Sequence, residues 1–378
     1  MDISRALPYN TGSDLTQKQV GYRTSSVAPK TVLIYTVRND SHAEIVTRAL
    51  TMRGSHVIRW IGQDYPERAT KSIMIDGVRV RNGLRVGDEI IDPADIEVAW
   101  FRRHMRPQVP HYIDERDAEF VSNELQVADA AHPCLIPNAF WINKRVASRL
   151  CDIKVRQLLA AQQVGLVVPR TLISNDPHEI KDFISTTSSC IYKPLTGHVW
   201  KDGEVNRKTY TSEVELHSLP GDRTLQASPG IFQKKVKKSY EVRAQFFGSF
   251  CAAVRIDSLA LKGGDLDWRI DQNSITRCEP VELPRLIYGR CRELMAQLDI
   301  VSGGFDFIVD KDGEWVFLEV NEAGQFLFLE TWCRELPLLD AFCQFVEAAD
   351  ADFIYRPVED PLRLEKVRDM AIRSGSVT

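Results

Sequence analysis

The sequence predicts a mixed chain in which an α/β unit precedes two further units of strands and helices. Three observations predict this. Buried-strand runs alternate with helical patterns from Thr31 to about Asn138. A strand, a capped helix and a second strand then follow over 167–195. Paired strands around a single helix occupy 230–321. At 378 residues the chain exceeds one hydrophobic core, so several domains are expected.

The elements follow in order. Residues 1–30 are polar without sustained periodicity and read as a flexible arm. The first unit spans 31–138. Thr31-Val32-Leu33-Ile34-Tyr35-Thr36-Val37 is a buried-strand run. Ser41 is placed to cap a helix over 43–52, and Gly54 to end it. Val57-Ile58-Arg59-Trp60-Ile61 and Ile96-Glu97-Val98-Ala99-Trp100-Phe101 are further strands. Between them, 71–91 reads as short strands joined by Asp76-Gly77 and Asn82-Gly83 turns. A helix over 114–131 carries Phe120, Glu124, Val127 and Ala131 near one stripe.

The second unit spans 139–229. A helix over 152–163 places Val155, Leu158 and Leu159 on one face and stops at Gly165. A strand over 167–173 leads to Asp176-Pro177-His178-Glu179, which supplies a cap, an N1 proline and a first-turn acid. Cys190-Ile191-Tyr192-Lys193-Pro194-Leu195 is a strand that Pro194 terminates. Residues 196–228 read as a hairpin or lid. The third unit, 230–352, has strands turning at Gly248-Ser249, a helix over 285–297, a hairpin and a helix over 336–349. A charged tail, 353–378, closes the chain.

The composition excludes several classes. A formal net charge of −4 gives no field that would hold the chain on nucleic acid or a membrane. No apolar run approaches the roughly 20 residues of a membrane span. The first residues lack a secretory signal pattern. Eight scattered cysteines form no Cys-x-x-Cys pair, which disfavours zinc and fits reduced thiols in the cytoplasm.

The most informative stretch is Gly303-Gly304-Phe305-Asp306-Phe307 through Phe317-Leu318-Glu319-Val320-Asn321. It reads as a hairpin turning at Asp312-Gly313. A two-residue turn pairs Lys311 with Glu314 and sets Asp306 opposite Glu319. Asn321 shares the face of Glu319. Directly opposed Cβ atoms lie roughly 4.5–5.5 Å apart, where two carboxylates repel unless a cation intervenes. Two carboxylates and an amide oxygen suit Mg²⁺, which fills its shell with water and phosphate oxygens. Ile308, Trp315 and Phe317 are expected on the same face, placing the acids at the rim of a buried pocket. A longer loop would shift the register and separate the acids.

A Mg²⁺–nucleotide site needs fixed positive charge. Neither a P-loop nor a Gly-x-Gly-x-x-Gly fingerprint is present. Lys193 lies in an apolar strand, where an anion would offset its burial. Lys154 lies in the first turn of a helix, where a cation gains nothing from the dipole. Gly230-Ile231-Phe232-Gln233-Lys234-Lys235-Val236 reads as a strand leading into a linker whose backbone can meet an adenine. Glu241 is placed to accept ribose hydroxyls. Arg243, Arg255 and Arg269 cluster near strand ends, and their forks suit carboxylates and phosphates.

In this order the elements resemble the ATP-grasp fold: helix lysine, strand lysine, Gln-led linker with an acid, arginines, then Asp…Glu-x-Asn. The resemblance spans about residues 31–350 and implies a Rossmann-like pre-ATP-grasp domain followed by central and C-terminal α+β subdomains. Finer matches resemble the microviridin-type peptide ligases (graspetide synthetases). They include Trp100-Phe101-Arg102-Arg103, Trp141-Ile142-Asn143, Pro229-Gly230-Ile231-Phe232-Gln233, Asp267-Trp268-Arg269 and Asn321-Glu322-Ala323-Gly324-Gln325-Phe326. A looser similarity runs to ribosomal-protein glutamate ligases.

The resemblance implies that Lys154 and Lys193 hold ATP phosphates and that Gln233, Lys234, Lys235 and Val236 line adenine. It implies that Glu241 binds ribose and that Asp306, Glu319 and Asn321 hold two Mg²⁺ ions. Arg255 would stabilise the acyl phosphate and, helped by Arg243, the tetrahedral oxyanion, and Arg269 would meet substrate. Lys234 stands where many relatives carry an acid, and Lys144 follows Asn143 where a proline is common. The implied activity is ATP-dependent activation of a peptide side-chain carboxylate, closing an ester or amide crosslink in a precursor peptide bound through a leader. Such ligases are often homodimers. Three alternatives stay open: a ligase that adds a free amino acid to a peptide, protein tail or small acid; a nucleotide-binding regulator; and a dehydrogenase on the first unit.

Overall fold

The computed structural model describes residues 29–196, 199–202, 205–208, 211–260 and 278–373. The expected arm therefore lies almost wholly outside the described residues, as do Asp267, Trp268 and Arg269.

The first unit forms as its apolar runs dictate. Strands β1 (Thr31–Thr36) and β2 (His56–Ile61) flank helix α1 (Ser41–Met52). Asp40, rather than Ser41, is the cap: its carboxylate accepts from the N–H groups of His42 and Ala43. A hairpin of β3 (Ala69–Asp76) and β4 (Arg79–Val86) continues into β5 (Glu89–Ile91). Asn82-Gly83 lies inside β4, paired with Ile73 and Ser72, and makes no turn. The second turn instead falls at Gly87, which takes a φ of 58°.

After β6 (Val98–Phe101) come α2 (Ala118–Ala130), α3 (His132–Leu135) and β7 (Phe140–Ile142). Strands β2-β1-β6-β7 make one parallel sheet, which runs past the boundary expected at 138. Helix α2 buries only Leu125 and Asp129. Phe120 and Val127, at 67% and 72% exposure, face solvent.

Helices α4 (Arg145–Cys151) and α5 (Lys154–Gln163) lead out of this unit. The buried face of α5 is Gln157, Ala160 and Ala161, whereas Val155 and Leu159 are exposed. The central unit contains β8 (Thr171–Ser174), α6 (Pro177–Ser185), β9 (Cys190–Lys193), the hairpin β10 (Val199–Asp202) and β11 (Val205–Lys208), β12 (Ser212–Val214), α7 (Asp222–Ala227) and β13 (Gly230–Lys234). Its sheet runs β12-β9-β13-β8. Asp176 caps α6 through the His178 N–H, as its motif dictates.

The last unit contains β14 (Lys238–Phe247), β15 (Phe250–Ile256), β16 (Cys278–Val281), α8 (Arg285–Leu298), β17 (Ser302–Asp310) and β18 (Trp315–Asn321). Helices α9 (Leu327–Trp332), α10 (Leu338–Ala348) and α11 (Leu364–Arg373) follow. The sheet order is β16-β15-β14-β17-β18. One face packs Val242, Ala244, Phe246, Phe305, Phe307 and Phe317 against α5 and α8. Ala252, Val254 and Ile256 join a larger core with β1, β6, α1 and the last three helices. The expected charged tail is partly core: Leu362, Leu364 and Val367 are buried there. Arg53, just after α1, crosses the same junction, at 2.9 Å from Asp340 and 2.6 Å from Glu347 of α10. All eight cysteines are free. Among the described residues no helix is long and apolar enough to cross a membrane.

Candidate active site

Asp306 stands opposite Glu319 in the β17–β18 ladder, and Gly304 opposite Asn321. The turn that produces this register differs from the expected one. Asp310 faces Glu314, and its Oδ1 accepts from the N–H groups of Asp312 and Glu314, both at 2.9 Å. The loop is therefore Lys311-Asp312-Gly313, three residues, with Gly313 at a φ of 82°. Such a loop alone would displace the acids by one residue. A β-bulge at Leu318 restores the register, because Phe307 pairs with Phe317 while Asp306 pairs with Glu319. The bulge also flips the alternation. Trp315 and Phe317 turn to the α8 face beside Phe305 and Phe307, not to the acids' face as expected. Ile308 keeps its place on the face of Asp306.

Each acid meets a cation. Lys154, in the first turn of α5, puts Nζ 2.5 Å from Glu319 Oε2. Arg243 of β14 is paired with Asp306, and its Nη1 donates to Asp306 Oδ2 at 2.9 Å and to the Gly304 carbonyl at 3.0 Å. The arginine fits only because its neighbours lack side chains. A Cβ at Gly304 would lie 2.3 Å from Arg243 Nη2, and one at Gly324 would lie 2.7 Å from it.

The residues expected to meet a nucleotide line the central sheet and the linker. Lys193 Nζ donates to Gln233 Oε1 at 2.9 Å across β9 and β13, and Gln233 Nε2 donates to Thr171 Oγ1 at 2.8 Å. The N–H groups of Lys234 and Lys235 donate to the Arg170 and Ser189 carbonyls, both at 2.9 Å. The Lys234 side chain is exposed, while Lys235 pairs with Glu213. Val236 continues the linker between β13 and β14. Glu241 is buried on the same face as Arg243; its Oε1 accepts from Lys238 at 2.6 Å and from Ser258 at 2.7 Å. Burial raises its carboxyl above the ordinary range, and the nearby Asp306 charge adds to this.

Arg255 does not join this group. It is paired with Val242, whose side chain enters the core on the α8 face, so Arg255 emerges on the opposite side of the sheet from Arg243 and Asp306. There it lies 4.2 Å over the Tyr240 ring and 2.9 Å from Asp257. The one-residue step from Val254, the partner of Arg243, is enough to reverse its direction. Arg269 lies outside the described residues.

A family model described as the MvdD pre-ATP grasp domain matches residues 31–149. No curated protein matches the chain. Among solved structures, the chain is similar to the RiPP-associated ATP-grasp ligase of Chryseobacterium gregarium, solved in complex with ADP and a leader and core peptide. That match has a TM-score of 0.78 and 26% identity, covering 84% of this chain and 96% of the other. The chain has the ATP-grasp fold. Two further structures share the fold. The macrocyclase MdnC of Microcystis aeruginosa MRC, bound with precursor peptide MdnA, matches at a TM-score of 0.73 and 24% identity, over 84% of this chain and 98% of that one. PsnB, complexed with a minimal precursor, Mg and ADP, matches at 0.65 and 22%, over 84% and 97%.

The donor set of this ATP-grasp chain fits magnesium. Among its described residues no three His, Cys, Asp or Glu converge as a richer metal site would require. Two opposed carboxylates with an amide two residues on make a sparse, all-oxygen set, which is what Mg²⁺ takes from protein. The loop after Asn321 is fixed from the first unit and its exit helix. Asn143 Nδ2 donates to the carbonyls of Ser302 and Glu322 at 2.9 and 3.2 Å, and its Oδ1 accepts from the Val301 and Ser302 N–H groups. Arg102 donates to the Ala323 carbonyl. Ser148 Oγ donates to Glu322 Oε1 at 2.5 Å, and burial pushes that carboxyl up to about 7. Sequence reasoning missed the roles of Gly304, Gly324 and Gln157. Only the Gly303-Gly304 pair, unusual inside a strand, signalled a close approach.

Proposed function

We propose that this ATP-grasp ligase activates a side-chain carboxylate of a ribosomally made precursor peptide and closes an ester or amide crosslink within it. The observation that carries this is the convergence of Lys154, Arg243, Asp306, Glu319 and Asn321 on one sheet face. The likeness to a ligase solved with ADP, leader and core peptide supports the substrate class.

In this reading Lys154 and Lys193 hold the ATP phosphates, and the linker 233–236 meets adenine. With the Lys234 and Lys235 N–H groups already engaged, the base would be met by the linker's carbonyls and Val236. Glu241 accepts from ribose. Mg²⁺ held by Asp306, Glu319 and Asn321 would neutralise charge on the phosphate oxygens. The peptide carboxylate attacks the γ-phosphorus; the bond to the bridging oxygen breaks, and ADP leaves. A hydroxyl or amine of the same peptide then attacks the acyl phosphate, loses its proton and expels phosphate. Arg243, not Arg255, faces the reacting side and would stabilise the developing oxyanion. A cytoplasmic location and a homodimer belong to the same reading.

The test is incubation with a precursor peptide rich in Thr, Ser or Lys and in Asp or Glu, with ATP and Mg²⁺, read by mass and ADP release. Loss of one water per ADP supports crosslinking. Gain of an amino-acid residue points to transfer of a free amino acid instead. Absence of ADP formation across such peptides overturns the proposal.

A further inference from the structure

β18 is the last strand of its sheet, so its outer peptide groups need partners from elsewhere. Val167 supplies one, accepting from the Phe317 N–H at 2.8 Å. At Val320 no strand lies alongside among the described residues. The side-chain amide of Gln157 takes its place: Nε2 donates to the Val320 carbonyl at 2.9 Å, and Oε1 accepts from the Val320 N–H at 2.9 Å. Nε2 also donates to the Cys151 carbonyl at 2.6 Å, which ties α4 to the same point. Gln157 is 5% exposed, so these bonds do not compete with bulk water.

The position of this contact matters more than its strength. Val320 is the residue between Glu319 and Asn321. Gln157 lies one helical turn beyond Lys154, whose ammonium meets Glu319. One amide therefore joins the helix that presents the phosphate lysine to the strand that presents two oxygen donors, and it does so between those donors.

We propose that Gln157 is a positioning residue that sets the spacing of Lys154 from Glu319 and Asn321, and thereby the affinity for a magnesium-bound nucleotide. This rests on the nucleotide reading above. Two oriented hydrogen bonds fix both the height of the strand along the helix and its rotation. An apolar side chain of the same length would fill the space and fix neither.

The experiment uses the full chain and titrates ADP by calorimetry, with Mg²⁺ and with chelator, in wild type, Gln157→Met and Ala161→Gly. Ala161 is buried on the same helix within the apolar core, so its substitution matches a general loosening of α5. Gln157→Met should weaken Mg·ADP about tenfold, the loss of roughly one net buried hydrogen bond. It should weaken metal-free ADP much less, and it should exceed Ala161→Gly at equal loss of unfolding temperature. If Gln157→Met fails to fold, Gln157→Asn, shorter by one methylene, carries the same comparison. Unchanged Mg·ADP affinity, or a loss that is equal with and without Mg²⁺ and matched by Ala161→Gly, overturns the positioning role alone. A wild-type chain that binds no Mg·ADP overturns the nucleotide reading and this proposal with it.

Discussion

Replacing Gly304 by alanine should unseat Arg243. The added Cβ would sit 2.3 Å from Nη2, 2.5 Å from Cζ and 2.8 Å from Nε, so the guanidinium cannot stay. Its departure breaks the 2.9 Å pair with Asp306 and the 3.0 Å bond to the Gly304 carbonyl. Arg243 and Asp306 are only 5% and 9% exposed, so water cannot replace what is lost. Breaking one buried pair costs roughly 3–5 kcal/mol. At roughly 2 °C per kcal/mol for a chain of this size, the unfolding temperature should drop by at least about 6 °C. ADP formation should fall with it, because Asp306 loses the partner that orients it. Gly289 provides the control. It lies inside α8, and a methyl added there would have nothing within 4 Å, so Gly289→Ala should stabilise by about 1 kcal/mol. Thermal unfolding and a coupled ADP assay on both variants decide the matter. A Gly304→Ala protein that unfolds at the wild-type temperature with full turnover would refute the account of Arg243.

Further outcomes are expected. Glu319→Gln should abolish ADP formation while circular dichroism stays that of the wild type; normal turnover would remove Glu319 from the metal set. Arg53→Met should destabilise by roughly 3–5 kcal/mol in chemical unfolding, because Asp340 and Glu347 would be left buried without their cation. Glu322→Gln should change the pH dependence of stability, measured with chelator present. The folded carboxyl is raised to about 7 by burial, from an ordinary 4.5, so its stabilising effect is complete below about pH 4.5 and fades as pH rises through 7. The amide variant should therefore gain on the wild type by about 3 kcal/mol between pH 4 and 8, and parallel pH profiles would contradict this.

Much of the candidate site's geometry was legible in the sequence, though not always for the right reason. The opposition of Asp306 and Glu319 follows from hydrophobic alternation around Asp312-Gly313. The actual hairpin reaches it through two cancelling irregularities, the three-residue loop and the bulge at Leu318. No local signal marks that bulge, and its flip of Trp315 and Phe317 was correspondingly missed. Asn82-Gly83 resembles a turn by composition, yet pairing with Ser72 and Ile73 holds it in a strand. Arg255 shows how unforgiving strand parity is: one position separates the face of Asp306 from the α8 face. The contacts of Asn143 with Ser302 and of Gln157 with Val320 join residues about 160 apart in sequence, and a linear pattern carries no trace of them.

The core shared by β1, β6, α1 and α11 has a consequence for synthesis. Val32, Ile34 and Val98 emerge from the ribosome early, whereas Leu364 and Val367, which help to cover α1, are translated some 260 residues later. At elongation rates of about 5–20 residues per second the gap is roughly 13–50 seconds. During that interval the nascent sheet shows an oily flank to its surroundings. Shortening the gene from its 3′ end would make that temporary exposure permanent.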